Sequence, residues 1–307
     1  MEHGAKTIKL MRRHWQMYLL LLLPLAYLLI FRYYPMIGAQ IAFRKFRASQ
    51  GIWGSQWVGF ANFFKFFKSY QFSRVLSNTL ILSVYQLMAG FPFPIIFALL
   101  LNTVTVRSYK KVVQTVTYLP YFISVVVLVG MMMQVFNPIV GFYGKLSLSI
   151  FGVHGKDIFG DAKYFPHLYV WSGVWQNMGW NSIIYLAALS TVSPELHEAG
   201  KIDGMNRFMR ILYIDLPAIL PTITVLLILN AGRIMSLGFE KVYLMQNSLN
   251  LSRSEVISTY VYKVGLASGG GDFSYATAIG LFNSVINLML IVSVNKICQK
   301  AGGDSLW

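Results

Sequence analysis

The chain has 307 residues, 56% apolar and only 12% charged, with Lys+Arg 26 against Asp+Glu 11 and a net charge of +15. Soluble domains carry about 25% charged residues, so this composition excludes an ordinary soluble enzyme. One cysteine, Cys298, excludes an internal disulfide framework and a cysteine-rich metal site. With a mean hydropathy of +0.55, the basic excess points to lipid rather than nucleic acid.

A spanning helix needs about 20 mostly apolar residues, so stretches without Asp, Glu, Lys or Arg locate the spans. The first is expected near 15–34, after Lys6, Lys9, Arg12 and Arg13. No small-residue cleavage site follows it; the chain continues Phe31-Arg32-Tyr33-Tyr34-Pro35, which reads as an uncleaved first helix behind a cytoplasmic segment 1–14. Run 48–64 is also charge-free but too polar and Gly-rich for lipid: Ala48-Ser49-Gln50-Gly51-Ile52-Trp53-Gly54. Further spans are expected near 78–101, 112–136, 168–191, 216–238 and 274–297, with a cytoplasmic tail at 298–307. Pro92, Pro94 and Pro120 break helices, which a membrane tolerates beside cavities or packed protein. The expected fold is all-α: a polytopic membrane protein of about six transmembrane helices.

Basic residues divide almost evenly between the two sides, but the inner segments are roughly half as long, which favours a cytoplasmic N-terminus. That places 35–74, 137–167 and 239–273 outside. The awkward region is Arg32 to Arg74, with seven basic residues and no acid.

Within the spans the one strongly ionisable residue far from a helix end is Arg233. Proton-coupled carriers usually place a carboxylate or His at that depth. Gly141-Phe142-Tyr143-Gly144-Lys145-Leu146 has the wrong spacing for a P-loop, so no ATP site is expected in this chain. The five histidines (His3, His14, His154, His167 and His197) show no metal-ligand spacing, and no catalytic constellation is apparent. Gly269-Gly270-Gly271 reads as an outer loop rather than a phosphate cradle.

Uncharged polar residues do occur at membrane depth: Gln86, Asn177, Asn181, Tyr185, Asn230, Asn283 and Asn287. Asn177 and Asn181 share a helix face, as do Asn283 and Asn287. Such groups suit a hydroxyl-rich substrate, and they equally suit hydrogen bonds between helices. Asn177, Asn181, Tyr185, Asn283 and Asn287 are the substrate-pathway candidates.

Between the fourth and fifth spans runs Ser193-Pro194-Glu195-Leu196-His197-Glu198-Ala199-Gly200-Lys201-Ile202-Asp203-Gly204, followed by Met205 to Pro217. Ser193 can cap a helix, Pro194 fits its first turn, and Glu195 and Glu198 favour its positive end. Gly204 permits a turn into a second short helix carrying Phe208, Ile211, Leu212 and Tyr213.

This segment resembles the Glu-Ala-Ala loop of membrane subunits of binding-protein-dependent ABC importers. Glu198, Ala199, Asp203, Gly204, Phe208, Ile214, Leu216 and Pro217 match; Gly200 and Met205 each replace an Ala. Gly59-Phe60-Ala61-Asn62-Phe63 and Asn78-Thr79 resemble the carbohydrate-uptake branch. Gly238-Phe239-Glu240, Val256-Ile257-Ser258-Thr259-Tyr260, Tyr275 to Phe282 and the terminal Gly302 to Trp307 resemble its LplB-type oligosaccharide and polysaccharide permeases. The resemblance implies a type I importer permease in a bacterial cytoplasmic membrane, with both termini inside. It also implies a second homologous permease, two ATPase subunits that bind ATP and Mg, and an extracytoplasmic solute-binding protein. Loop 193–215 is then cytoplasmic and docks on an ATPase subunit through Glu195, Leu196, Glu198, Ala199, Gly200, Ile202, Asp203 and Gly204. Leu196, Ala199 and Ile202 are either its apolar contact or a face packed on this chain's own helices. A secondary carrier or channel would need no such loop, and a membrane enzyme would want a catalytic constellation.

Overall fold

A computed structural model describes residues 13–267, 269 and 271–300; residues 1–12, Ser268, Gly270 and 301–307 lie outside the described residues. Most of the expected N-terminal segment, most of the tail and the Gly302 to Trp307 motif therefore lie outside them. Two compact units are present. One comprises the described residues up to Phe67 with Val264–Leu281, the other Lys68–Lys263 with the described residues from Phe282 onward.

In the first unit, α1 (Trp15–Leu28) continues through a π turn (Leu29–Tyr33) and a 3-10 stretch (Tyr34–Phe43). The helical path is thus 29 residues, nine longer at its C-terminal end than the expected 15–34. Pro35 does not stop it: it falls where the π turn passes into the 3-10 stretch, so its missing N–H coincides with a change of hydrogen-bond register. No residue of α1 is buried: its apolar side chains point all round, as lipid or a partner helix requires.

Run 48–64 lies largely in a hairpin, in which β1 (Arg44–Lys45) pairs antiparallel with β2 (Gln56–Trp57). Two of the basic residues in this unit, Arg44 and Lys65, have partners. The Arg44 guanidinium lies 5.8 Å and 5.5 Å from the ring centroids of Trp53 and Trp57 and donates to the Ser55 carbonyl at 2.8 Å. Lys65, on α2 (Ala61–Phe67), pairs with Asp272 at 2.8 Å. Gly271 allows the chain to lie against the Gly265 backbone, where a Cβ would not fit. The glycine run is therefore partly a packing device.

In the second unit, α3 (Tyr70–Gly90) and α4 (Pro92–Asn102) form one 33-residue span interrupted at Phe91. Pro92 and Pro94 each remove a backbone donor, so the ladder lapses for a turn without the helix ending. The expected straight helix 112–136 is not formed. α5 (Arg107–Tyr118), with a 3-10 turn Leu119–Phe122, meets α6 (Val125–Val135) at a bend of 99°. Pro120 opens that turn, Ile123 is extended, and Ser124 caps α6 by accepting from the Val127 N–H at 3.3 Å. The carbonyl of Ile123 accepts from Gln176 Nε2 at 2.8 Å, so the break leaves it no unpaired oxygen.

The Gly141–Gly144 segment opens α7 (Phe142–Phe151). A Cβ on either glycine would collide with backbone carbonyls of residues 134–138, so both serve packing.

α8 (Phe165–Leu189) has 25 residues, about 37 Å at 1.5 Å per residue. It lies over the expected 168–191 but is not among the four helices of the described residues that are long and apolar enough to cross a membrane. Protein shields it instead: α3, α4, α5 and α11 (Leu216–Ala231) pack around it. At Gly179 the backbone of α8 reaches the Thr117 carbonyl so closely that no Cβ would fit.

The fifth span is also corrected. Its helical path runs Arg207–Ala231, and the chain turns at Gly232, short of the expected 238. Gly232 sits where a Cβ would be 2.7 Å from Ile291 of α14 (Phe273–Lys300). α14 itself covers the expected 274–297. Outside the spans, α12 (Phe239–Met245) packs on α6 and on α13 (Ile257–Tyr262), which in turn packs on α3. Asn78 donates to the carbonyls of Ser252 and Glu255, each at 3.0 Å, and Thr79 Oγ1 accepts from the Ile257 N–H at 2.9 Å. Glu255 pairs with Arg74 and, at 3.0 Å, with Lys263.

Candidate functional site

Two regions carry the candidate residues. The first is the knob after α8. Ser193 Oγ accepts from the Glu195 N–H at 3.3 Å and opens α9 (Pro194–Ile202). The helix closes with Met205 N–H donating to the Gly200 carbonyl at 2.8 Å, across Gly204 at φ +79°. That left-handed conformation is why a glycine follows Asp203. A one-turn helix, α10 (Arg207–Arg210), follows, capped by Asn206 Oδ1 accepting from the Met209 N–H at 2.8 Å.

The two departures from the Ala pattern touch each other. A Cβ on Gly200 would lie 3.2 Å from Met205 Sδ and 3.1 Å from Ile214 Cδ1. Gly200 is buried, and the larger Met205 occupies the room its missing methyl leaves. The inward side of α9 is completed by His197, whose Nε2 lies 3.4 Å from Oδ1 of Asp215, a residue 1% exposed. Asn102 Nδ2, at the end of α4, donates to the same oxygen at 3.3 Å. One buried carboxylate thus joins α9, the base of α11 and the end of α4. His197, Asp215 and Asn102 were not among the expected site residues; their pairing is visible only in three dimensions.

The outward side is apolar. Leu196 is 55% and Ile202 87% exposed, and Ala199 is exposed between them. These three therefore do not pack on the chain's own helices, which removes one of the two readings of that face. Glu195, Glu198, Asp203 and Gly204 are exposed beside them. Phe208 and Tyr213 extend the apolar surface.

The second region is a cavity of about 1200 Å³ between α3, the α5–α6 bend, α8 and the turn after α11. Asn177, Asn181 and Tyr185 border it, as does Asn230. Asn177 also donates to the Gly173 carbonyl at 2.8 Å. Tyr121 stacks on Trp180 at 4.5 Å, and both border the space. Asn283 and Asn287 do not border it. Asn287 accepts from the Met235 N–H at 3.1 Å and donates to Ser236 Oγ at 3.0 Å. It therefore braces the turn after α11, as a polar residue between helices does.

Arg233 borders the cavity from that turn rather than from mid-helix. Lys241, which the sequence reading left in an outer loop, borders it too. The residue is 9% exposed, and its ammonium donates to the Tyr169 carbonyl at 3.0 Å and sits 5.0 Å from that ring's centroid. Burial pushes it down to about 8. The cavity wall thus holds amides, hydroxyls, aromatic faces and two cations, with no carboxylate among its lining residues.

Residues 90–300 match the family described as the binding-protein-dependent transport system inner membrane component. The chain is 43% identical to protein LplB of Bacillus subtilis (strain 168) over 304 residues, covering 99% of this chain and 95% of that protein. It is 40% identical over 300 residues to YteP of the same organism, a polygalacturonan/rhamnogalacturonan transport system permease protein, covering 98% of this chain and 92% of that one. Among solved structures, a bacterial ABC transporter involved in the import of the acidic polysaccharide alginate aligns with a TM-score of 0.87 at 38% identity, over 96% of this chain and 99% of that chain. The all-α architecture is accordingly that of a type I ABC importer permease. Fold, motif and relatives agree: this chain belongs to the family of inner-membrane components of binding-protein-dependent transport systems.

Proposed function

We propose that the chain is one membrane subunit of an ATP-driven importer of oligosaccharides or polysaccharides. A homologous permease stands beside it, two ATPase subunits bind ATP and Mg on the cytoplasmic side, and a solute-binding protein delivers the saccharide from outside. Both termini are cytoplasmic, with the knob at 193–215 on the same side.

The observation that carries the coupling role is the two-sidedness of α9. Its outward face presents Leu196, Ala199 and Ile202, and its inward face is tied through His197 and Asp215 to α11 and α4. A surface helix that exposes its own apolar residues needs a groove to cover them. A helix anchored to two spans moves them when it is moved. ATP binding closes the ATPase subunits, α9 follows as a rigid body, and the spans change from inward-open to outward-open. The coupling free energy is the difference in ATP affinity between the two arrangements.

The cavity supports the saccharide pathway. Amides can pair with sugar hydroxyls in either direction, and the Tyr121 and Trp180 rings offer apolar faces to a sugar's C–H groups. The relatives' names fit this reading: YteP for polygalacturonan/rhamnogalacturonan, and the solved neighbour for alginate. The neighbour is also known in complex with an alginate pentasaccharide-bound periplasmic protein.

The test is reconstitution of this chain with its partner permease and ATPase subunits in proteoliposomes. Uptake of saccharide should require both ATP and the loaded binding protein. Uptake without ATP would replace the importer with a carrier.

A further inference from the structure

Three polar groups at the cavity wall have hydrogen-bonding capacity that the fold leaves unused. Ser83, on α3, is 1% exposed, and its Oγ has no hydrogen-bond partner. Gln86, one turn further along, makes no side-chain hydrogen bond among the described residues and borders the cavity. Lys241 spends one of its three N–H groups on the Tyr169 carbonyl and has no carboxylate partner among the described residues.

The missing side chain of Gly173 brings two of these together. The point its Cβ would occupy is 3.3 Å from Gln86 Oε1, 3.4 Å from Gln86 Nε2 and 3.4 Å from Lys241 Nζ. An amide and an ammonium from α3 and α12 therefore meet beside α8 at one spot on the wall. Arg233 adds a second cation to the same cavity, which has no acid on its lining. Buried charges are normally paired, and one left without a counter-ion is costly. A buried hydroxyl without a partner is costly in the same direction.

We infer that Gln86 and Lys241 form a carboxylate-binding subsite on the saccharide path, so that the saccharide carried is acidic, with uronate groups. This rests on the importer reading of the cavity. A uronate carboxylate would accept from the ammonium and the amide together, supplying the charge the wall lacks. Gly173 is then a positioning residue: its missing Cβ lets donor and cation share one oxyanion.

The experiment uses the assembled complex of permeases and ATPase subunits in nanodiscs, without the binding protein, at low salt. Binding of trigalacturonate is compared with that of its methyl ester, which has the same skeleton without the charge. Wild type should favour the acid by about tenfold or more. In Lys241→Met the acid-to-ester ratio should fall to near one, while Lys241→Arg keeps most of it. Gln86→Glu, which sets a carboxylate beside the ammonium, should lose the preference by occupying the subsite internally. Only variants that elute as the intact complex are read, and these two independent changes guard against a local packing defect. An unchanged ratio in both Lys241→Met and Gln86→Glu overturns the subsite, as does inorganic phosphate competing as well as free galacturonate. If those results come with ATP-driven uptake of the ester, the importer reading stands without the subsite. If proteoliposomes with the loaded binding protein take up neither saccharide, the importer reading fails and the subsite falls with it.

Discussion

Gly200 and Met205 should behave as one unit. Gly200→Ala alone gains helix propensity worth about 0.5–1 kcal/mol. It also sets a methyl 3.2 Å from Met205 Sδ and 3.1 Å from Ile214 Cδ1. Both are ends of flexible side chains, so they retreat by a few tenths of an ångström. The crowding costs about 1–3 kcal/mol in a buried site, and the net effect is a loss of about 1 kcal/mol. Met205→Ala alone empties the space beside Gly200. Met205 is only half-buried, so the loss falls at or below the low end of the usual range, about 1–2 kcal/mol. The double variant replaces a sulfur by a methyl in the same place and restores the Ala-Ala arrangement of the resembling loop. Its loss should therefore be smaller than the sum of the singles, with a coupling of about 0.5–2 kcal/mol. Reversible denaturation of the chain in bicelles, followed by tryptophan fluorescence, measures all four corners of the cycle. Additivity within about 0.3 kcal/mol would show that the two residues do not share this space.

Topology is checked with single cysteines in a Cys298→Ser background: one at Ser49 should react with an impermeant thiol reagent from outside, one at Lys201 only from inside. The reverse pattern would invert the orientation. Asn177→Ala/Asn181→Ala should lower uptake roughly five- to 150-fold while the complex assembles, since two amide–hydroxyl bonds worth about 0.5–1.5 kcal/mol each are lost. Asn287→Ala should instead lower stability, because it strips partners from the Met235 N–H and Ser236; equal effects on uptake and assembly in both variants would erase the distinction. For pH, burial pushes the Lys241 ammonium down to about 8 from its ordinary 10.5. Between those values the unfolded chain binds more protons, so this group's contribution to stability rises with pH. Uptake of an acidic saccharide should nonetheless fall through pH 8 as the ammonium is lost, while that of its neutral ester does not. The other titratable groups on the cavity wall are Arg233, Tyr121, Tyr169 and Tyr185; a parallel fall for the ester would place the titration elsewhere.

Spans read best from the sequence where the chain faces lipid. The last helix matches because it is continuous, with no proline between Phe273 and Lys300 to break its apolar run. α5–α6 did not, because its bend depends on a tertiary partner: Gln176, 53 residues away, accommodates the freed Ile123 carbonyl. The knob was legible because capping by Ser193, the glycine turn and the spacing of Leu196, Ala199 and Ile202 are all local. What anchors it was not, since His197 and Asp215 meet across 18 residues and Asn102 comes from another span. The Asn pairs looked alike on helical spacing, yet only Asn177 and Asn181 reach the cavity; spacing gives a face but not what that face meets. Lys241 escaped notice because a lysine one residue past Glu240 reads as a solvated loop charge until the fold buries it.

The account turns on α9 as the link between ATP and the cavity. The most direct measurement is saccharide-stimulated ATP hydrolysis by the reconstituted complex carrying Glu198→Arg or Gly204→Pro, with co-purification of the ATPase subunit scored alongside. Glu198→Arg reverses charge at an exposed position of the helix, where like-charge contacts across an interface cost several kcal/mol. Gly204→Pro cannot adopt φ +79°, so the turn that closes α9 is lost. Both variants should insert in the membrane, lose the ATPase subunit or its stimulation, and stop uptake, while Leu101→Ala, buried on α4, reports general destabilisation. If both variants keep the ATPase subunit bound and transport coupled, α9 is not the coupling element and the central claim is contradicted.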